Sequence, residues 1–176
     1  PAAKKIVAEA AEKVGMPYLT ERWIGGALTN FKIINKRVEY MENLEREKAT
    51  GGFEKYTKKE RLGKDEEIRK LNRMFNGLRV MKRLPEAVFV VNVVEDEIAA
   101  LEAKIMKIPV VGLVDTNAKL SLADLPIPSN DDALPAVNFM VSQISSAVEE
   151  GKKSMVGDSS STESGRGREV KASPVI

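Results

Sequence analysis

The 176 residues suffice for one ordinary domain with an appendage, 43% of them are hydrophobic, and no run of roughly eighteen apolar residues suggests a membrane span. Cysteine and histidine are both absent, which removes disulfides, the usual zinc sites and every histidine-based triad, leaving carboxylate, lysine, tyrosine or hydroxyl chemistry. The formal charge of +2 hides a polarity: residues 32–83 hold 16 of the 28 Lys+Arg against 9 acids, whereas residues 84–150 hold 3 against 11, so one part of the chain suits a polyanion and another does not.

Pro1 to Val14 reads as a helix, with proline in its first turn, Ile6, Val7, Ala10 and Val14 at helical spacing, and Gly15 as its stop. Met16 to Thr20 suits a short strand. The loop from Glu21 to Gly26 carries the only tryptophan, Trp23, and the pair Gly25-Gly26. Paired glycines let backbone N–H groups approach an anion, so the loop with Arg22 and Trp23 is a candidate phosphate cradle; a tight turn around a packed indole is the alternative.

A second helix runs from Asn30 to Lys48, with Phe31, Ile34, Val38 and Met41 spaced three, four, three, a seam for a partner helix. Lys32, Lys36 and Arg37 lie along it. Gly51-Gly52 breaks the pattern, and Thr57-Lys58-Lys59-Glu60 offers a capping box for a third helix. There Ile68, Leu71, Phe75 and Leu78 repeat the spacing until Asn76-Gly77. Two facing seams joined by a glycine turn predict an antiparallel helical hairpin over residues 31–83. Lys58, Lys59, Arg61 and Lys64 cluster near the turn, with Lys58, Arg61 and Lys64 expected on one face, directed away from the seam. They would grip a phosphate backbone or simply be solvated.

Ala87 to Val93 is a continuous apolar run, as in a strand buried on both faces of a parallel sheet. Glu95 to Lys107 reads as a helix, with acids first and lysines last. A second buried strand, Val110 to Val114, ends at Asp115-Thr116-Asn117. A proline-containing loop and a helix from Asp131 to Glu150 follow. The order strand–helix–strand–helix predicts an α/β body formed by residues 1–30 and 84–150. Two convincing strands are few for such a sheet, so a further strand region upstream of Pro1 is expected. Residues 151–176 read as a disordered tail.

Asp115 lies where α/β sheets bind ligands, and with Asp131 and Asp132 it could form a carboxylate cluster for Mg²⁺, making the chain a small Rossmann-like nucleotide- or Mg-binding enzyme. The alternative is that these residues cap a loop and start a helix. Neither GxGxxG nor GxxxxGK[ST] occurs. A third possibility is an RNA-independent helical adaptor.

Five segments in order resemble one family. They are YLTERWIGGALTNF at Tyr18 to Phe31, GGFEKYTKKE at Gly51 to Glu60, LPEAVFVVNV at Leu84 to Val93, IPVVGLVDTN at Ile108 to Asn117 and PIPSNDDA at Pro126 to Ala133. The family is that of the bacterial-type small-subunit ribosomal protein number two, and the resemblance covers roughly residues 1–150. It implies a Rossmann-like (flavodoxin-like) parallel sheet layered with helices and a protruding coiled-coil hairpin. It also implies a non-enzymatic, structural role in the small ribosomal subunit, on the ribosome of a bacterial cytoplasm or of an organelle. The implied partners are 16S-type ribosomal RNA at the head–body junction and neighbouring small-subunit proteins, including the large RNA-binding protein number one. No cofactor, metal or membrane partner is implied. The expected RNA contacts are Arg22, Trp23, Lys32, Lys36, Arg37, Lys58, Lys59, Arg61 and Lys64. Ala118 to Ser121, Gly63 and Pro135 depart from the family pattern, and Pro135 is expected to kink the last helix.

Overall fold

The computed structural model describes residues 2–158 and 174–175. In chain order it contains α1 (Ala2–Val14), α2 (Phe31–Ala49), α3 (Lys58–Phe75), β1 (Ala87–Val90), α4 (Glu97–Ile105), β2 (Val110–Val114), β3 (Leu125–Pro128), α5 (Leu134–Asp158) and β4 (Pro174–Val175), with short 3-10 turns at Asn76–Leu78 and Leu120–Leu122. The four strands form one parallel sheet in the order β3-β2-β1-β4. The protein has the α/β, Rossmann-like architecture expected, with an antiparallel helix pair added.

Alternation along β1 and β2 sends side chains to two cores, one on each side of the sheet. Val88, Val90, Val110 and Val114 pack under α4 with Ala99, Ala100 and Ala103. Phe89 and Leu113 point the other way, onto Val7, Ala11 and Val14 of α1 and Val137 and Val141 of α5. The α2–α3 pair has its own core, with Ile34, Val38, Met41 and Leu44 facing Ile68, Leu71 and Phe75, sealed at the turn by Phe53. Leu19 and Ile24 pack against that core from the segment after α1. The capping box forms as read: the Thr57 N–H donates to Glu60 Oε2 at 2.8 Å, and Glu60 N–H donates to Thr57 Oγ1 at 3.4 Å.

Several expectations are corrected. Met16 to Thr20 is not a strand: it runs irregularly, with Met16 buried and the Tyr18 N–H donating to the Gly77 carbonyl at 3.1 Å. The proline-containing loop includes β3, Leu125–Pro128, paired with β2 on the sheet edge. There prolines are tolerated, because an edge strand needs no donor on its outer side. β1 stops at Val90, since the Asn92 side chain accepts from the N–H groups of Val94 and Glu95 and turns the chain. The segment expected to be disordered from residue 151 is helical to Asp158. Lys153 pairs with Glu149 at 3.0 Å, and the Lys152 ammonium holds the Val14 carbonyl at the end of α1. The short strand β4 pairs with β1 at Ala87 and Val88. The rest of the expected tail, residues 159–173 and 176, lies outside the described residues. Pro135 is the second residue of α5, where its missing N–H leaves no helical bond unmade, so the expected kink has no cause there. No helix among the described residues is long and apolar enough to cross a membrane.

Candidate nucleic-acid interface

Helix α2 presents Lys32, Lys36 and Arg37 to solvent, since its buried positions are Ile34, Val38, Met41 and Leu44. On α3, Lys58, Lys59 and Arg61 are exposed and Lys64 is half-buried. The four turn-proximal cations do not act alike. The Arg61 guanidinium folds back, with Nε donating to the Tyr56 carbonyl at 2.9 Å and Nη2 to the Glu54 carbonyl at 3.1 Å. Lys64 lies over the Tyr56 ring at 4.5 Å and the Phe53 ring at 5.4 Å, cation–π contacts that clamp the turn. The expected cluster of Lys58, Arg61 and Lys64 is therefore divided. Lys58 and Lys59 face outward, while Arg61 and Lys64 brace residues 53–56. Replacing Arg61 by alanine should lower stability by about 1 kcal/mol, because two carbonyls lose a charged donor, whereas Lys58→Ala should stay within about half a kcal/mol. Urea unfolding of the two variants checks this, and equal midpoints would contradict the bracing role.

Three acids of the hairpin are held in ion pairs within it. Glu45 makes a two-point pair with Arg79 at 2.7 and 2.8 Å and accepts from Asn72 at 2.6 Å, locking the last turns of α2 to the end of α3 and the segment after it. Arg79 also donates to Asn72 and Asn76. The Arg79 guanidinium holds the Glu45 carboxyl below its ordinary range, against burial and with help from Asn72. Glu47 pairs with Lys55 at 2.9 Å and Asp65 with Lys48 at 2.8 Å. Among the described residues, Lys32, Lys36, Arg37, Lys58 and Lys59 form no ion pair.

The loop containing Arg22 and Trp23 does cradle an anion, but the anion belongs to the protein. Glu102 of α4 is only 7% exposed. Its Oε1 accepts from Gly26 N–H at 2.6 Å and from the Trp23 indole at 3.2 Å. Its Oε2 accepts from Leu28 N–H at 3.0 Å and from Thr29 N–H and Oγ1, both at 3.1 Å. Gly26 has φ 89, a left-handed conformation that aims its N–H inward and suits glycine. Burial pushes the Glu102 carboxyl up, but the N–H groups of Gly26, Thr29 and Leu28 and the Trp23 indole together bring it below its ordinary value. The indole N–H and the loop amides are therefore occupied, and Arg22 alone of this loop offers an exposed cation. Sequence reasoning missed Glu102.

Asp115, Asp131 and Asp132 approach one another only electrostatically. Burial raises the Asp131 carboxyl, and the charges of Asp132, Asp115 and Glu95 add to this. Asp115 is engaged with the Thr116 N–H at 2.6 Å, and Asn130 caps the turn by accepting from Asp132 and Ala133 N–H groups at 2.9 and 2.7 Å. Among the described residues no group of three or more acids could hold a metal ion. A cleft of about 580 Å³ opens beside β1, lined by Lys4, Val7, Thr20, Arg22, Asn92 and Asp96 among others. Burial, with Glu95 adding, raises the Asp96 carboxyl against the Trp23 N–H.

The sequence profile of the family described as "Ribosomal protein S2" matches residues 1–151. The chain is 42% identical over 155 residues to the "Small ribosomal subunit protein uS2" of Mycolicibacterium vanbaalenii, covering 88% of this chain and 57% of that protein. Against the protein of the same name from Dehalococcoides mccartyi it is 43% identical over 153 residues, 87% of this chain and 62% of the relative. Against that of Nocardia farcinica it is 43% identical over 155 residues, covering 88% and 54%. The chain thus spans little more than half the length of these curated relatives. They are named as ribosomal proteins, in agreement with the non-enzymatic reading. The match runs through β1, β2 and β3, the helix pair and the Glu102-held loop alike, and the chain belongs to the ribosomal protein S2 family.

Proposed function

We propose that the chain is a non-catalytic constituent of the small ribosomal subunit, working on the ribosome in a bacterial cytoplasm. It holds 16S-type ribosomal RNA mainly through phosphate contacts of the helix pair and meets neighbouring small-subunit proteins, the large RNA-binding protein number one among them. The observation that carries the RNA contact is the imbalance on α2 and α3. Residues 32–83 carry 16 basic residues against 9 acids, three of those acids, Glu45, Glu47 and Asp65, are spent on Arg79, Lys55 and Lys48, and Lys32, Lys36, Arg37, Lys58 and Lys59 are exposed. Surplus charge of one sign along an exposed face attracts the phosphate backbone regardless of sequence. Arg22 extends the basic surface, while Trp23, Arg61 and Lys64 serve it indirectly by holding the loop and the turn in shape.

Two double variants test the reading: Lys58→Ala with Lys59→Ala, and Lys32→Ala with Lys36→Ala. All four positions are exposed, so folding should survive. Binding to a small-subunit ribosomal RNA transcript should weaken about tenfold in each, and the slope of log affinity against log salt should flatten by about 0.9 for each phosphate no longer neutralised. Glu95→Ala, in the acidic half, should not weaken binding. Unchanged affinity and slope in both doubles would mean that the helix pair faces protein or solvent.

A further inference from the structure

Helix α4 is built with its apolar side chains outward. Its inner face consists of Ala99, Ala100, Glu102 and Ala103, all buried. Ile98, Leu101 and Ile105 stand 45%, 47% and 71% exposed. Val94, in the turn that leads into α4, is 41% exposed, and Leu120, on the 3-10 turn packed beside α4, is 64% exposed. A surface helix ordinarily turns its large apolar residues to the core and its charges to water. Here small residues let α4 sit close on β1 and β2, and the branched residues are left for something else. Within α4, positions 98, 101 and 105 recur at three, four, the spacing of a seam between paired helices, with Val94 continuing the stripe from the preceding turn, and a contiguous exposed apolar stripe marks an interaction site.

The charges select the occupant. Glu97 and Lys104 are exposed, seven residues apart, and flank the same edge of the seam. The Ser121 carbonyl steadies the Lys104 ammonium at that edge. A second α4 laid antiparallel across the first brings its Lys104 to Glu97 and its Glu97 to Lys104. It also sets Ile98 and Leu101 at the centre and Val94 against Ile105. We infer that the outer face of α4 is a homodimer surface in which two copies pair antiparallel about a twofold axis, the same patch serving both. A single helix and one turn make a small interface, so the association is weak and concentration-dependent.

Sedimentation equilibrium of the full 176-residue chain over a wide concentration range should show a reversible monomer–dimer equilibrium. Leu101→Glu places a charge on an exposed position, so the melting temperature should hold while dimerisation weakens about tenfold or more. Glu97→Lys and Lys104→Glu each set like charges across the axis and should each weaken it. Mixing the two singly reversed chains should restore pairing, because each copy supplies the sign that the other needs. A chain that stays monomeric at its highest soluble concentration, a dimer indifferent to Leu101→Glu, or a mixture no better than its components overturns the inference.

Discussion

Replacing Glu102 by alanine should cost about 3 kcal/mol, since an unsatisfied buried donor costs roughly 1–3 kcal/mol and several donors are stranded together, a large share of the roughly 5–15 kcal/mol that holds a domain together. Five donors lose their acceptor at once: the N–H groups of Gly26, Leu28 and Thr29, the Thr29 hydroxyl and the Trp23 indole. Without the carboxylate, the buried Leu28 N–H carries a full desolvation cost and the part-buried donors a smaller one. Glutamine is the sharper probe. It keeps the shape, yet its amide NH₂ must face donors where a carboxylate oxygen accepted, so Glu102→Gln should also destabilise, though less than alanine. Trp23 is the only tryptophan, which makes its fluorescence a direct report on the loop, and both variants should shift its emission to the red. The pH dependence follows from the sign of the shift. The folded-state value of Glu102 is depressed, so its contribution is fully present above the ordinary glutamate range and is lost as pH falls through the folded value. Wild-type stability should therefore drop on acidification more steeply than that of Glu102→Gln. A loss below about 1 kcal/mol in Glu102→Ala would mean that water replaces the carboxylate easily.

The sequence reading found what depends on period and local chemistry. The seams of α2 and α3, the Thr57 capping box and the buried runs of β1 and β2 each announce themselves within a dozen residues. What it missed depends on long-range geometry. Glu102 meets its loop across more than seventy positions of chain. Its only local signal is an acid in the C-terminal half of a helix, against the dipole and among Ala99, Ala100 and Ala103. β3 escaped because prolines at 126 and 128 argue against a strand unless it is known to be an edge. The basic cluster was legible as composition, but its partition was not. Whether Arg61 folds back onto the Tyr56 and Glu54 carbonyls depends on where the turn places them. For the α2–α3 face, the sequence supplies the charge and the fold decides which cations remain exposed.

The same substitution at two glycines should have opposite effects. Gly77 lies in the 3-10 turn at the end of α3, and its carbonyl accepts from the Tyr18 N–H at 3.1 Å. A Cβ there would sit 2.2 Å from the Tyr18 carbonyl oxygen and 2.7 and 2.9 Å from ring atoms of the same residue. A side chain could rotate away from the ring contact, but the oxygen is backbone, so the base of the helix pair must move off the segment that follows α1. That movement strains the Tyr18–Gly77 bond and loosens Leu19 against the hairpin core. Gly77→Ala should cost about 3 kcal/mol, at the upper end for overpacking. Gly63 is in the middle of α3 with nothing within 4 Å of its would-be Cβ. There alanine meets no obstacle and restricts the unfolded chain, so Gly63→Ala should stabilise by roughly 0.5–1 kcal/mol. Denaturant unfolding of both variants, read by Trp23 fluorescence and by helical circular dichroism, checks the pair. If both variants shift the midpoint the same way, close approach at Tyr18 is not what fixes glycine at position 77.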